Sequence, residues 1–461
     1  MALPSVSAAA RGLVFWLRRC GLPKVIVSLQ LLALVLGPLL GLFIVSLGNG
    51  FISSLTSLRL DAMGEAANVI GLVSSSYFIG LTLGALFSDR LIARIGHIRA
   101  YSCFASLTAV TFLLQGLYVD PIAWFFFRLV NGWAIVGIFL IVESWMLLAG
   151  DEKMRGRLLA LYMIALYGSG VLAQYHLGRL HGWGDAAPFM VAGMLASLSV
   201  LPMTVIPRIS PQAERVEPLS LTRLLRMSPT GVMGCFASGV AIAGVYTLLP
   251  IYLQRVGLGV DQVGKLMAAA ILGAMVLQYP IGRWSDRQDR QGVLIALGVG
   301  GALLSALVLL LPDRPWVLAV LLFLLGGGIF AVYPVAVSHA ADRAPAGALV
   351  RMIQGLLLVN SIGSALSPLV ISPLMVAMGE RGLFWAFLAL HIGFVVFLLQ
   401  RRKVRPAPVP VAPFVAAAQM SPMGAEMRVT PELLQGARER QQHARAQAGA
   451  DADADANAAQ P

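Results

Sequence analysis

The chain has 461 residues, 58% of them hydrophobic and 12% charged, with a formal net charge of +12. A soluble domain carries about 25% charged residues, so the composition excludes a water-soluble fold with a separate catalytic domain and predicts an all-α membrane protein. The basic residues punctuate apolar runs instead of gathering on one face or arm, which excludes nucleic acid as a partner.

In chain order, residues 1–24 carry Arg11, Arg18, Arg19 and Lys24 ahead of a long apolar run, with no short h-region and cleavage site. The first span is therefore expected to stay in the mature protein. Charge-free runs of about 20 residues, the length that crosses a bilayer, place spans at 25–49, 67–87, 100–119, 122–149, 158–178, 187–206, 229–253, 264–283, 292–312, 316–338, 348–376 and 382–400. They divide into two six-helix bundles, 25–206 and 229–400, joined by a loop at 207–228. The tail, 401–461, is rich in Pro and Ala and ends in Asp-Ala repeats, which predicts disorder, with one amphipathic helix starting at Thr430-Pro431.

Alternate connections hold most of the arginines. One set carries Arg90, Arg94 and Arg99; Lys153, Arg155 and Arg157; Arg208, Arg215, Arg223 and Arg226; Arg283, Arg287 and Arg290; and Arg343 and Arg351. The other holds little beyond Arg59, Arg179, Arg255, Arg314 and Arg381. With Arg401, Arg402, Lys403 and Arg405 after the last span, the positive-inside rule puts both termini in the cytoplasm of a bacterial inner-membrane protein.

The chain also repeats itself. Asn68-Val-Ile-Gly71 and Ser88-Asp89-Arg90 flank the second span as Asp261-Gln-Val-Gly264 and Ser285-Asp286-Arg287 flank the eighth, and Asp151, Gly156 and Leu158 echo Asp342, Gly347 and Leu349. The three cysteines, Cys20, Cys103 and Cys235, have neither disulfide nor metal spacing. No Walker motif is present, and no cofactor is expected.

Gly282-Arg-Trp-Ser-Asp286-Arg287-Gln-Asp289-Arg290 reads as a tight charged turn. Asp286 is placed to accept hydrogen bonds from exposed helix N-terminal amides, and Arg287 and Arg290 to bridge carboxylates on facing helices, as a latch made in one conformation. The plainer alternative is a solvated turn obeying the inside rule.

This turn resembles the Gly-x-x-x-Asp-Arg signature of the major facilitator superfamily, with Asp89 and Arg90 as the first copy, where Ala85 replaces the usual glycine. Ser88-Asp-Arg-Leu-Ile-Ala-Arg-Ile-Gly-His97, Gln278-Tyr-Pro-Ile-Gly-Arg283 and Tyr333-Pro-Val-Ala-Val-Ser-His339 look like its YcaD-type branch. The resemblance covers residues 25–400. It implies a secondary transporter that moves a small-molecule solute by alternating access, as a monomer in the lipid bilayer and not as an enzyme, with protons as a candidate coupling ion. A uniporter of the same fold and a membrane receptor that does not translocate its ligand are the rivals. Tyr167-Gly-Ser-Gly170 stands where drug antiporters of the family carry Gly-Pro, which counts against drug export.

Arg128-Leu-Val-Asn131-Gly132 is similar to the family's Arg-x-x-x-Gly pattern, associated with proton coupling in some members; snorkelling to the outer surface is the alternative for Arg128. Glu143 is the one acidic residue well inside a span, and so a candidate proton carrier or a salt-bridge partner for loop arginines. Asn131, Gln174 and Asn360 are polar at plausible depth for a central cavity, or act as hydrogen-bonded glue between helices. His176, His339 and His391 sit near helix ends without metal spacing, which favours structural roles.

Overall fold

The computed structural model describes residues 23–149, 152–204, 219–344 and 348–404. Residues 1–22, most of the central loop, Asp151 and Gly347 of the internal echo, and the tail from 405 with its Thr430 helix lie outside the described residues. Among those described, every regular element is helical.

The first bundle comprises α1 (Pro23–Ala62), α2 (Ala67–Ile95), α3 (His97–Leu117), α4 (Pro121–Ala149), α5 (Glu152–His181), and α6 (Ala187–Leu198) with the short α7 (Val200–Thr204). A linker helix, α8 (Leu221–Met227), leads to the second bundle: α9 (Pro229–Thr247) with α10 (Leu249–Arg255), α11 (Val260–Arg287), α12 (Arg290–Leu310), α13 (Pro315–Ala341), α14 (Leu349–Met378) and α15 (Gly382–Val404). Among the described residues, twelve segments are long and apolar enough to cross a membrane. The face bearing both described chain ends is called here the terminal face and its opposite the far face.

Helix ends follow local chemistry. The first span, read as ending at 49, continues to Ala62, because Ser54, Thr56 and Ser57 are buried against neighbouring helices and do not mark a loop. The sixth and seventh spans each break once, at Ser199 and Leu248, ahead of Pro202 and Pro250, whose rings cannot continue the helical hydrogen bonds. Pro229 at the first helical position and the Ser228 hydroxyl, accepting from the Gly231 amide at 3.3 Å, start α9.

The charged motifs are not loops either. Ser88-Asp89-Arg90 lies within α2, which runs to Ile95 and is stopped by Gly96 at φ +84°, a conformation that costs glycine nothing. Asp286 and Arg287 form the last turn of α11, leaving a turn of only Gln288 and Asp289.

The internal repeat is visible in packing. Where α2 crosses α4, Gly80 lies on the Leu129 carbonyl and Gly132 on the Tyr77 carbonyl, so closely that a Cβ on either would overlap the oxygen. In the second bundle α11 crosses α13 in the same way, Gly273 on the Phe323 carbonyl and Gly326 on the Ala270 carbonyl. Small residues allow this approach in lipid, where dispersion and not the hydrophobic effect holds helices together.

Candidate functional site

A cavity of ≈ 70 Å³ lies between the two bundles. Its walls come from α1 (Ser46, Asn49, Gly50, Ser53), α2 (Tyr77, Phe78), α4 (Arg128, Phe139) and α5 (Leu166, Tyr167, Gly170, Gln174). The second bundle adds Tyr246 and Thr247 of α9 and Ile271 of α11. Both bundles thus own part of one site.

Arg128 is 1% exposed. Its guanidinium carbon stands 4.3 Å from the centroid of the Tyr77 ring, and its Nη1 donates to Asn131 Oδ1 at 3.4 Å. The side chain turns into the cavity and does not snorkel to the surface. Tyr77 is held in place by Asn49, whose Nδ2 donates to the phenolic oxygen at 3.0 Å. Phe330 extends the aromatic wall behind the cavity, edge to face with Tyr167 at 5.9 Å and with Tyr246 at 5.7 Å.

The other expected cavity residues separate. Gln174 lines the cavity, and its Nε2 also ties α5 to α1 by donating to the Gly50 carbonyl at 2.8 Å and to Ser54 Oγ at 2.9 Å. Asn131 is buried next to Arg128 without being part of the wall. Asn360 is also outside the wall: its Nδ2 donates to the Cys235 carbonyl at 2.9 Å, joining α14 to α9 as Gln174 joins α5 to α1. Both amides act as interhelical links, which are favoured where water is absent. Glu143, 0% exposed, belongs to the same helix as Arg128, nearer the terminal face and outside this cavity.

Toward the far face the bundles are shut against each other. Asp61 of α1 pairs with Arg255 of α10 at 2.6 Å. Gly178 of α5 abuts Asp261 of α11, and Gly264 of α11 abuts the Gln174 carbonyl. Gly71 of α2 abuts Pro368 and Ser372 of α14. Gly71 and Gly264 are the equivalent glycines of the Asn68 and Asp261 repeats, so the duplicated motif supplies the two bundle-to-bundle crossings. Two further arginines of the far face meet carboxylates: Arg59 with Asp185, and Arg381 with Asp313 at 3.3 Å.

At the terminal face, Arg290 pairs with Asp286 at 3.5 Å and with Asp342, the C-cap of α13, at 3.1 Å, and both Arg290 and Asp342 are buried. Asp289 receives the exposed helix amides of Gln291 at 2.9 Å and Gly292 at 3.2 Å, because it occupies the N-cap of α12. These contacts join α11, α12 and α13 within the second bundle. Asp89, Arg90 and Arg287 are exposed at this face.

Sequence reasoning missed Tyr77, Asn49 and Tyr246, which carry no signature, and the Asp61–Arg255 pair, whose partners are far apart in the chain. Asp289 was legible as an N-cap, since it stands one turn ahead of the apolar run that begins at Val293.

A family model described as Major Facilitator Superfamily matches residues 38–368 and again 256–434. The chain is 32% identical over 375 residues to the MFS-type transporter YcaD of Salmonella enteritidis PT4, covering 81% of this chain and 97% of that relative. It is 33% identical over 376 residues to an MFS-type transporter of Enterobacter sp. (strain 638), with the same coverage of each. Among solved structures, the nucleoside transporter NupG superposes with a TM-score of 0.68 at 16% identity, over 81% of this chain and 100% of that one. A D-xylose-proton symporter superposes with a TM-score of 0.61 at 13% identity, over 80% and 96%. With twelve membrane-crossing helices in two bundles around a shared cavity, the chain belongs to the Major Facilitator Superfamily and is one of its multi-pass bacterial membrane transporters.

Proposed function

We propose that the protein is a secondary transporter that carries a small solute by rocking its two bundles alternately about the Arg128 cavity. The observation carrying this reading is a cavity walled by both bundles, with contacts that cross between the bundles on its far-face side. Relative rotation of the bundles would break those contacts without disturbing either bundle's interior, as alternating access about a midplane site requires. The concentration of arginines at the terminal face supports placing that face, and both termini, in the cytoplasm of the inner membrane. The conformation described is then the one closed to the outside. Glu143, an acidic side chain completely buried in α4, makes protons the candidate coupling ion.

A lock tests the reading. In cells producing an Asp61→Cys/Arg255→Cys pair in a cysteine-free background, untargeted metabolite profiling should reveal at least one solute whose uptake or export depends on the protein. Oxidising the pair should abolish that dependence and reductant should restore it. Solute binding without any lock-sensitive flux would instead identify a receptor, and flux indifferent to uncoupler a uniporter.

A further inference from the structure

Arg128 is a buried cation with no anion of its own. Its guanidinium meets the neutral Asn131 amide and the Tyr77 ring, and its Nε has no hydrogen-bond acceptor. Among the described residues no carboxylate pairs with it, and the cavity wall contains neither Asp nor Glu. Arginine does not escape this position by losing its proton, and a lone buried cation is expensive. The guanidinium faces a space shared by both bundles, so an anion arriving in that space would supply the missing charge.

The remaining wall chemistry narrows the anion. Asn49 Oδ1 and Gln174 Oε1 are buried acceptors without donors, and Ser46 Oγ is buried without a partner. They call for hydrogen-bond donors on the ligand. An ammonium group would satisfy them but would leave one positive charge uncompensated after the carboxylate has met Arg128, whereas a hydroxyl leaves none. One guanidinium fork matches one planar carboxylate. The cavity, ≈ 70 Å³, is small, which favours a compact solute.

We infer that the Arg128 cavity binds a small hydroxycarboxylate, its carboxylate on Arg128 and its hydroxyl on Asn49 or Gln174. This rests on the transporter reading for the solute's passage but not for its binding, and the two are tested separately. The probes are glycolate, lactate and 3-hydroxybutyrate, each paired with its uncharged amide, with alanine as the zwitterion and inorganic phosphate as the tetrahedral anion. Binding is read by thermal stabilisation of the purified full-length protein in nanodiscs. At least one hydroxycarboxylate should stabilise the wild type, its amide binding about tenfold or more weakly, since a charged hydrogen bond is lost. Arg128→Gln should abolish the effect and Arg128→Lys should retain part of it. The carboxylate-against-amide comparison is made on the wild type, so it decides the matter even if the variants fold poorly. Equal stabilisation by amide, alanine or phosphate, stabilisation by none of the probes, or full retention in a folded Arg128→Gln would overturn the inference. Lock-sensitive flux of a neutral or cationic solute would overturn it while leaving the transporter reading intact; hydroxycarboxylate binding without flux would do the reverse.

Discussion

A single α-helix carries two buried ionisable residues with different expected tasks. Arg128 and Glu143 are 15 positions apart on α4, and a rise of 1.5 Å per residue separates them by roughly 22 Å, too far to pair. Arg128 stands in the cavity, where a solute reaches it; Glu143 lies toward the terminal face, outside the cavity wall. If Glu143 is the proton carrier, Glu143→Gln keeps the side chain's shape and removes its ability to cycle a proton. Transport driven by a pH gradient should then disappear while solute exchange across proteoliposomes continues. Gradient-driven flux at near-normal rate in that variant would leave Glu143 a structural residue.

Among elements, the crossings decide the bundle geometry. At the α2–α4 crossing the helices meet through Gly80 and Gly132, each with a backbone carbonyl where a Cβ would stand. Backbone cannot move aside as a flexible side chain does, so Gly80→Ala and Gly132→Ala should each cost about 1–3 kcal/mol, the usual penalty for overpacking. Thermal melts in detergent check this against Gly300→Ala and Gly328→Ala, whose added methyl groups meet nothing within 4 Å. Those two controls should melt unchanged or slightly higher, because alanine loses less backbone entropy than glycine in a helix. A common shift in all four variants would mean that helix propensity and not the crossing is being measured.

For the whole molecule, the two bundles are held together on the far face by contacts small enough to be reversible. The Asp61–Arg255 pair is partly exposed, with side chains 13% and 30% accessible, and pairs of this kind contribute about 0.2–1 kcal/mol. Arg255→Ala should therefore raise the population open to the far face by up to roughly fivefold without preventing closure. The readout is labelling of Ser53→Cys, in the cavity wall, by a membrane-impermeant maleimide added outside intact cells. Labelling that does not rise would remove this pair from the gate. The duplicated glycines Gly71 and Gly264 place an equivalent crossing on either side of the pseudo-symmetric pair of bundles, so closure involves both halves of the repeat.

The sequence by itself determined the class of the protein, because apolar length, the spacing of charges and turn-forming residues are local properties that the bilayer reads directly. Twelve spans, the duplication and the kinship all followed from neighbours in the chain, which leave Arg128 open both to a buried role and to snorkelling to the surface. The start at Pro229 was legible for the same reason, whereas the second span, read as ending at 87, runs on to Ile95 before Gly96 stops it. What the tertiary structure alone decided depends on residues far apart in sequence. Arg128 becomes a cavity cation because Tyr77 from α2 lies under it and no described acid meets it. Gln174 and Asn360 look alike in sequence, yet one borders the cavity and the other only links α14 to α9. Asp61 and Arg255 read as unrelated loop charges until the bundles bring them to 2.6 Å. A hydrophobic run specifies that a helix crosses the membrane but not which of its faces meets another helix, since lipid tails and neighbouring side chains are equally apolar. Only close packing between helices settles which polar side chain faces the cavity.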